Sequence, residues 1–283
     1  MRKPFRPFIP DVSVFKIRPY GLPHNRVGAL TDSSTKGHNA AIYGPLLNLD
    51  GTADYLSVIT PWDWMHATTR QYAVFAAHIY HNATAAEALY YEQFSTTADK
   101  FDISIDVGDF LDVKVRGVTG DTQRTFNSLG SDTPWLIDPV IWHSLIVQID
   151  ATSSTVDTWL DGVRKDTAAA LSVQDLTAFA AGDTPALQYW GESGGAEWDG
   201  SMRSMGLLST STSITNAQAA FYHAQSAQLL SDLAFVGQWH CNEGVGGVII
   251  DRSGNGHPLA LTGTTWVTTR VFGNFGVFGS DTL

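Results

Sequence analysis

Strict alternation of apolar and polar side chains most constrains how this chain can fold. The alternation runs through residues 101–107 and returns in residues 111–116. A period of two places the apolar side chains on one face of a strand, so two half-buried strands form a hairpin here. A three-residue loop at 108–110 pairs Ile105 with Val113 and keeps the apolar face intact. A two-residue loop would pair Ile105 with Asp112 and mix the faces, so we predict the three-residue loop.

The rest of the chain after residue 45 has the same character. Further strands are predicted at residues 72–80, 89–94, 142–150, 155–160, 186–190 and 201–208. One helix is predicted at residues 215–230, where apolar residues follow helical spacing and Thr215 forms a capping box with Gln218. Many strands, one short helix and frequent Gly or Asp turns predict an all-β fold, an antiparallel sandwich or jelly roll.

Residues 1–44 are predicted to form an extended, basic N-terminal arm. Five of the eleven prolines of the chain lie in the first 23 residues, and proline disfavours both helices and paired strands. The segment is either a disordered tail or an arm that docks on its own body or on neighbouring molecules, and we favour the arm. The side chains expected to contact partners are Arg2, Lys3, Phe5, Arg6, Phe8, Phe15, Arg18 and Tyr20.

Charge is distributed unevenly between the arm and the body. The arm carries seven Lys or Arg against two Asp, about +5, which leaves about −16 for the rest of a chain with net charge −11. An acidic body disfavours nucleic acid as a partner, because phosphates would be repelled over its whole surface. An acidic protein surface is the better partner for the dispersed basic residues of the arm.

Cysteine content and hydropathy indicate the compartment. Cys241 is the one cysteine, so no intrachain disulfide can form and folding in a reducing compartment is favoured. Residues 1–10 lack the apolar region of a signal peptide. No run approaches the roughly 18 apolar residues of a membrane span, so we expect a soluble protein with no membrane contact.

Four segments carry a family resemblance. They are residues 47–56 (Leu-Asn-Leu-Asp-Gly-Thr-Ala-Asp-Tyr-Leu), the hairpin at 142–163 with its Trp-His and Asp-Gly pairs, residues 198–202, and residues 239–266. Together they resemble signature stretches of the concanavalin A-like, laminin-G-like jelly rolls. The resemblance implies a lectin-type sandwich over residues 45–283. The last of these segments usually opens such a domain, so residues 231–283 either close the sandwich in permuted order or form a small appendix.

Aromatic residues suggest a sugar site. Sugar-binding sites use exposed Trp or Tyr rings beside a few amides and carboxylates. Core packing is the usual role of tryptophan, but Trp64 and Trp198 are the best candidates for an exposed pair. His66, Trp190 and Glu192 complete the candidate glycan-binding set.

A metal site and a catalytic site have weaker support. Asp251, Ser253 and Asn255 place oxygen atoms at alternate positions before a glycine, which suggests either an Asx turn or a Ca²⁺ loop. We favour the turn, and no other cofactor is expected. His78 and His81 are three apart on a predicted strand, so they face opposite sides and cannot share an ion.

Glycosidases on this fold need two carboxylates on one strand face. Glu87 and Glu92 are five apart, which predicts opposite faces, and Glu192 and Glu197 flank a glycine-rich loop. We therefore predict no enzyme activity.

The leading hypothesis is a non-enzymatic virion surface protein, a phage head decoration or fibre. It would be made in the host cytoplasm and anchored by its arm to other virion proteins and to its own copies, with host surface glycans as a further partner. That link rests on analogy with phage proteins of similar fold. The alternatives are a free carbohydrate-binding module and a glycoside hydrolase with a non-standard site.

Overall fold

The computed structural model describes residues 29–30, 40–41, 46–62, 64, 71–82, 86–94, 100–106, 110–117, 120–125, 142–150, 153, 155–170, 185–191, 196–224 and 235–267. The chain divides into two compact units, Met1–Gly44 with Thr268–Leu283, and Pro45–Val267. In the first unit, β1 (Ala29–Leu30) pairs antiparallel with β2 (Ala40–Ala41), a local pairing that no apolar pattern predicted. The partner-binding residues predicted for the arm, Arg2 to Tyr20, lie outside the described residues.

The second unit is built of short antiparallel strands. In chain order they are β3 (Leu46–Asp50), β4 (Tyr55–Val58), β5 (Tyr72–His81), β6 (Glu87–Phe94), β7 (Lys100–Ile105), β8 (Leu111–Gly117), β9 (Gly120–Thr125), β10 (Trp142–Asp150), β11 (Thr155–Leu160), β12 (Val163–Ala170), β13 (Pro185–Trp190), β14 (Asp199–Thr210), β15 (Phe235–Trp239), β16 (Val248–Ile249), β17 (Leu259–Thr262) and β18 (Thr265–Val267). One α-helix, α1 (Asn216–Ala224), follows β14.

Two sheets contain these strands. The front sheet has the order β12-β11-β10-β5-β14-β3-β18, with β15 also paired to β14, and the back sheet has the order β16-β17-β4-β13-β6-β7-β8-β9. Apolar side chains from both sheets form one shared core, as expected for a sandwich. The predicted all-β antiparallel sandwich with one short helix is confirmed.

The central strand β5 is buried on both faces. Its outer face belongs to a second hydrophobic cluster in which Ala219 and Tyr222 of α1 cover Val74 and Ala76. The helix begins at the predicted cap, where the Gln218 N–H donates to Thr215 Oγ1 (3.2 Å). In return the Thr215 N–H donates to Gln218 Oε1 (2.9 Å). The described helix ends at Ala224, and residues 225–230 of the predicted helix lie outside the described residues.

The hairpin of β7 and β8 forms in a different register from the predicted one. Ile105 pairs with Leu111, and Ile103 pairs with Val113, so five residues connect the strands. The Asp106 N–H donates to the Phe110 carbonyl (2.9 Å), and the Phe110 N–H donates to Asp106 Oδ1 (3.1 Å), which closes this longer turn. The prediction was wrong by two residues because a shift of two keeps every side chain on its face.

Residues 235–267 are part of the sandwich. β15 pairs with β14 in the front sheet, β17 pairs with β4 in the back sheet, and β18 pairs with β3 in the front sheet. The last segment of the second unit therefore lies beside its first two strands.

Candidate functional site

The tryptophans predicted to bind sugar lie in the core. Trp64, Trp190 and Trp198 are 2%, 0% and 0% exposed. The predicted exposed pair of Trp64 and Trp198 is therefore wrong, because buried rings present no face to a ligand. Their size explains the outcome, since burying an indole contributes more to the core than burying most side chains. The other two candidates, His66 and Glu192, lie outside the described residues.

A buried polar network holds Trp64 in place. The carboxylate of Glu92 is 0% exposed. Its Oε2 accepts hydrogen bonds from Trp64 Nε1 (2.8 Å) and from the Tyr90 hydroxyl (2.9 Å), and its Oε1 accepts one from Gln188 Nε2 (3.2 Å). Burial, reinforced by the Glu92 charge, raises the pKa of Tyr90 well above 10.0, so its hydroxyl stays a donor. Three donors thus satisfy a carboxylate that would otherwise be costly to bury.

Gln188 connects this network to the segment after β4. Its Oε1 accepts from the Trp62 N–H (2.9 Å), and its Nε2 donates to the Trp62 carbonyl (2.8 Å). The Trp62 ring stacks on His257 with centroids 3.7 Å apart and planes 5° apart. The Gln188 side chain therefore links β13 to the segment that follows β4.

The two carboxylates of β6 face the same way. A bulge between Ala88 and Tyr90 adds one residue to the strand, so Glu87 lies opposite Ile105 and Glu92 lies opposite Phe101, both inward-facing residues of β7. The prediction of opposite faces was wrong for this reason. Glu87 is also buried, where it contacts His81 Nε2 (3.2 Å) and accepts from the Asp199 N–H (3.1 Å).

A serine, two histidines and an aspartate meet under α1 without forming a catalytic triad. Ser144 Oγ (3.0 Å) and Asp161 Oδ1 (3.6 Å) both face Nδ1 of His223. A triad needs the serine and the carboxylate on opposite ring nitrogens. The cluster instead connects α1 to β10 and to the turn between β11 and β12.

Asp161 lies at the centre of this connection in a left-handed turn (φ 52°). It accepts hydrogen bonds from the Ser144 N–H (3.0 Å) and from His143 Nδ1 (2.8 Å). Burial alone would raise the pKa of Asp161, but these hydrogen bonds and the nearby imidazoles outweigh burial and lower the pKa below 3.8. Asp161 and Gly162 form the turn between β11 and β12, and the Asp161 carboxylate holds β10 through Ser144 and His143.

His78 and His81 have separate surroundings. His78 Nδ1 contacts Ser204 Oγ (2.7 Å) under Tyr222 of α1, whereas His81 contacts Trp198 and Glu87. Burial, with a smaller contribution from the Arg203 charge, lowers the pKa of His78 from 6.5 to about 3. In the described part of the chain, no group of three or more His, Cys, Asp or Glu side chains is arranged to hold a metal.

The candidate calcium loop forms a hydrogen-bonded turn. Asp251 accepts from the N–H groups of Gln238 (3.1 Å), Ser253 (2.8 Å) and His257 (2.9 Å), and from Ser253 Oγ (2.9 Å). Asn255 Nδ2 donates to the Val236 carbonyl (3.2 Å). The preferred interpretation as an Asx turn is confirmed, and the Ca²⁺ alternative stays a hypothesis that melting temperatures with Ca²⁺ and with a chelator test.

An unbroken row of side chains crosses the outer face of the back sheet. Ser57 of β4 pairs with Tyr189 of β13, Tyr189 with Tyr91 of β6, Tyr91 with Asp102 of β7, and Asp102 with Lys114 of β8. We name these five residues the outward row. Directly opposed residues lie on the same face of a sheet, and the side chains that alternate with them point into the core.

The middle of the outward row is aromatic. The Tyr55 ring packs against the Tyr189 ring with centroids 5.0 Å apart and planes tilted by 55°. The Tyr91 hydroxyl donates to Gln93 Oε1 (3.0 Å), so an amide lies beside the rings. Tyr55 and Tyr189 are half-buried, whereas Tyr91 is buried, with only 8% of its surface exposed.

The outer faces of the two sheets differ in the described part of the chain. In the described part of the chain, α1 lies on the outer face of the front sheet, and no hydrophobic cluster lies on the outer face of the back sheet. The outward row therefore combines rings, a hydroxyl, a carboxylate and an ammonium group on a sheet face. We take it as the candidate functional site.

An apolar corner adjoins the row at the edge of the back sheet. Ile59, Val248 and Ile250 are 52%, 43% and 50% exposed. Val248 pairs with Ala260, which pairs with Ser57 of the outward row, so the corner continues the row to the edge strand β16. Exposed apolar groups of this size mark contact surfaces when they cluster.

Solved structures of other proteins are similar to this chain. A proposed carbohydrate-binding protein from Bacteroides ovatus has a TM-score of 0.51 at 15% identity, over 80% of this chain and 60% of that protein. A heptameric pentraxin from Limulus polyphemus (TM-score 0.46, 10% identity, 68% of this chain and 91% of that one) and domains LG4-5 of the mouse laminin α1 chain (0.43, 13%, 59% and 42%) are also similar.

The Bacteroides ovatus structure supports the antiparallel sandwich fold that the sequence predicts. The chain spans 60% of the length of the Bacteroides ovatus protein. No family model matches the sequence, and no curated protein matches it. In the described residues, no helix combines the length and hydrophobicity that a membrane span requires.

Sequence reasoning missed the outward row although its signal was present. Residues 186–190 are predicted as a strand, and Trp190 is one of the glycan-binding candidates. Strand alternation places Tyr189 and Trp190 on opposite faces. Since the larger ring is the better core residue, the pattern itself pointed to Tyr189 as the outward one.

Proposed function

We propose that this protein is a non-enzymatic, lectin-like module that binds carbohydrate on the outer face of its back sheet. The observation that carries the proposal is the outward row, from Ser57 through Tyr189 and Tyr91 to Asp102 and Lys114. The hydroxyl, aromatic, carboxylate and ammonium groups of this row are the kinds of group that sugar recognition requires.

The chemistry of sugars favours this face. A pyranose ring presents C–H groups on its faces, which pack on aromatic rings such as Tyr55 and Tyr189, while its hydroxyls need polar partners. The Ser57 hydroxyl can donate to or accept from these hydroxyls, and Lys114 can donate to them. Together they supply contacts for both parts of a sugar.

The absence of catalysis is part of the proposal. Glu87 and Glu92, the two carboxylates of β6 on one face, are buried and hydrogen-bonded, so neither is placed to reach a glycosidic bond. Asp161 and its histidines lack the geometry of a triad. These observations support a binding role over hydrolysis.

A glycan array tests the proposal. The wild type is expected to bind a set of glycans, and Tyr189→Ala is expected to lose about tenfold in affinity, because its ring supplies the apolar contact for the C–H face of a sugar. The matched control is Tyr80→Ala, which removes another half-buried tyrosine from the outer face of the front sheet. If Tyr189→Ala binds as the wild type does, the site is wrong.

A structural role in a virion is the second candidate. The apolar corner of Ile59, Val248 and Ile250 adjoins the edge strand β16, and both features suit a protein partner. The basic arm and acidic body add complementary charges for contacts between copies. The protein would then be displayed on a phage head or fibre, with its arm on neighbouring virion proteins.

Deleting residues 1–40 separates the two candidates. The virion hypothesis predicts that the truncated protein stays folded but no longer assembles onto particles, and a truncated protein that still assembles contradicts it. The carbohydrate hypothesis predicts unchanged glycan binding by the same truncated protein.

A further inference from the structure

We infer that the apolar corner binds residues 11–18 in the N-terminal arm of a second copy of this chain. The inference rests on the second candidate function, in which the arm makes contacts between copies, and it names the surface that receives the arm. It does not depend on sugar binding by the outward row.

The concentration of exposed apolar side chains is the first argument. Among the described residues, six large apolar side chains are exposed, and three of them form the corner. A fourth, Val245, is 77% exposed in the loop that leads into β16. The other two, Val163 and Phe221, lie on β12 and α1. Single exposed apolar side chains are ordinary, whereas a cluster of this kind marks a contact surface.

The strand register places the corner on one face. Ile250 comes two residues after Val248, and Ile59 comes two residues after Ser57. The Ile59 N–H donates to the Pro258 carbonyl (3.1 Å), so the contact between these chain segments continues beyond β4. A period of two keeps all these side chains on the outer face of the back sheet. That sheet ends at β16, whose other edge pairs with no strand in the described part of the chain.

Charge favours a basic occupant for the corner. The arm carries about +5 and the rest of the chain about −16, so two bodies repel each other whereas an arm and a body attract. At the corner itself, Glu243 Oε1 accepts from the Ile250 N–H (3.2 Å) and lies 3.8 Å from Arg252 Nη2. Asp251 adds a second acid, so two acids and one base border the apolar surface.

Residues 11–18 (Asp-Val-Ser-Val-Phe-Lys-Ile-Arg) have the matching chemistry. They lie between Pro10 and Pro19 and are the longest stretch without proline in the first 23 residues. Proline has no N–H group, so this stretch can offer the longest unbroken set of backbone donors to an edge strand. Four of its side chains are apolar, and one Asp against one Lys and one Arg gives it a net charge of +1. Residues 268–283 contain one Arg and one Asp, so charge favours the arm over this tail.

A contact between the arm of one copy and the corner of the next is heterologous, because it joins two different surfaces. Each copy has one arm and one corner, so every copy can both give and receive an arm. Such contacts build a ring if the rotation between neighbours closes and a filament if it does not. Association should therefore depend on protein concentration and weaken at high salt, where opposite charges are screened.

Sedimentation velocity of the full chain over a concentration series tests the surface. Ile250→Asn is expected to raise the dissociation constant between copies at least tenfold, because it places an amide in an apolar contact without adding charge. Val163→Asn is the matched control, since Val163 is 59% exposed on the front sheet, and it should leave the dissociation constant unchanged. Equal effects of the two substitutions, or association that strengthens with salt, overturn the inference.

Photo-crosslinking of mixed copies tests the occupant. A photoreactive phenylalanine analogue replaces Phe15 in an isotopically heavy full chain, which is mixed with light wild-type chain. The expected product joins the heavy peptide that contains residues 11–18 to a light peptide from residues 243–262. Cross-links found only within heavy chains, or only to other parts of the light chain, contradict the inference.

The outcomes separate this inference from the second candidate function. If deleting residues 1–40 abolishes association while Ile250→Asn has no effect, the arm joins copies at another surface, so the candidate stands and the inference is wrong. If the deletion leaves association unchanged, the arm joins no copies and both are wrong. A full chain that stays monomeric at every concentration also contradicts both.

Discussion

Replacing Glu92 by glutamine tests the buried network beneath the outward row. The side chain keeps its shape but exchanges one acceptor oxygen for an NH₂ group. Because Trp64, Tyr90 and Gln188 all donate to the carboxylate, the new NH₂ must face a donor whichever way the amide turns. At least one buried donor loses its acceptor, and the remaining hydrogen bonds lose the help of the charge.

The magnitude follows from these losses. An unsatisfied buried donor costs about 1–3 kcal/mol, and a hydrogen bond to a charged group contributes about 1.5–3 kcal/mol, against about 1 kcal/mol for a neutral one. Removing a buried charge returns part of this cost. We expect a net loss of about 2–3 kcal/mol in the free energy of unfolding, which corresponds to a fall of roughly 4–12 °C in Tm.

Urea denaturation followed by tryptophan fluorescence measures this loss as a lower midpoint at an unchanged m-value. Glu197→Gln, a half-buried glutamate removed from the network, is the matched control and should change stability by less than about 0.5 kcal/mol. A double-mutant cycle with Tyr90→Phe should give a coupling energy of about 1 kcal/mol. A Glu92→Gln protein as stable as the wild type would refute the reasoning.

Three further predictions concern turns and caps. Gly263→Ala should destabilise more than Gly254→Ala in chemical denaturation: both glycines are left-handed (φ 71° and 86°), but only at Gly263 would a Cβ overlap Asp54 Oδ1. Thr215→Ala should cost about 1 kcal/mol through loss of the helix cap, and equal stability of the two proteins would contradict the capping role. Because the pKa of Asp161 is lower in the folded state, its carboxylate stabilises the fold at pH values above its unfolded-state pKa. That stabilisation is lost as the pH falls through its folded-state pKa. Asp161→Asn should therefore destabilise at neutral pH and have little effect well below pH 3.8, as pH-dependent denaturation can measure.

The order of strands along the chain was largely predictable from the sequence. Residues 142–150 and 155–160 form strands with the predicted bounds, because their apolar runs end at turn-forming residues. The helix start was predictable because Thr215 and Gln218 satisfy each other's backbone N–H groups. These are local features, decided by side chains within a few positions of one another.

Register and bulges were not predictable, because the alternation of apolar and polar residues within one strand does not depend on how its partner strand is aligned. The hairpin that follows Ile105 has a register two residues away from the predicted one, and every side chain stays on the predicted face. Hydrogen bonds between Asp106 and Phe110 close its five-residue turn. In β6 one extra residue brought Glu87 and Glu92 to the same face. A bulge of this kind depends on the partner strand, which a single-strand pattern does not contain.

The candidate site shows why function was harder to locate than fold. The sequence predicted Trp64, Trp190 and Trp198 as glycan-binding candidates, but these are the rings that a sandwich core gains most from burying. In a strand with two adjacent aromatic residues, the core takes the larger ring and the amphipathic one faces out. Applied to Tyr189 and Trp190, that rule finds the centre of the outward row. Joining it to Tyr91, Asp102 and Lys114 still requires the pairing of four strands, which is tertiary information.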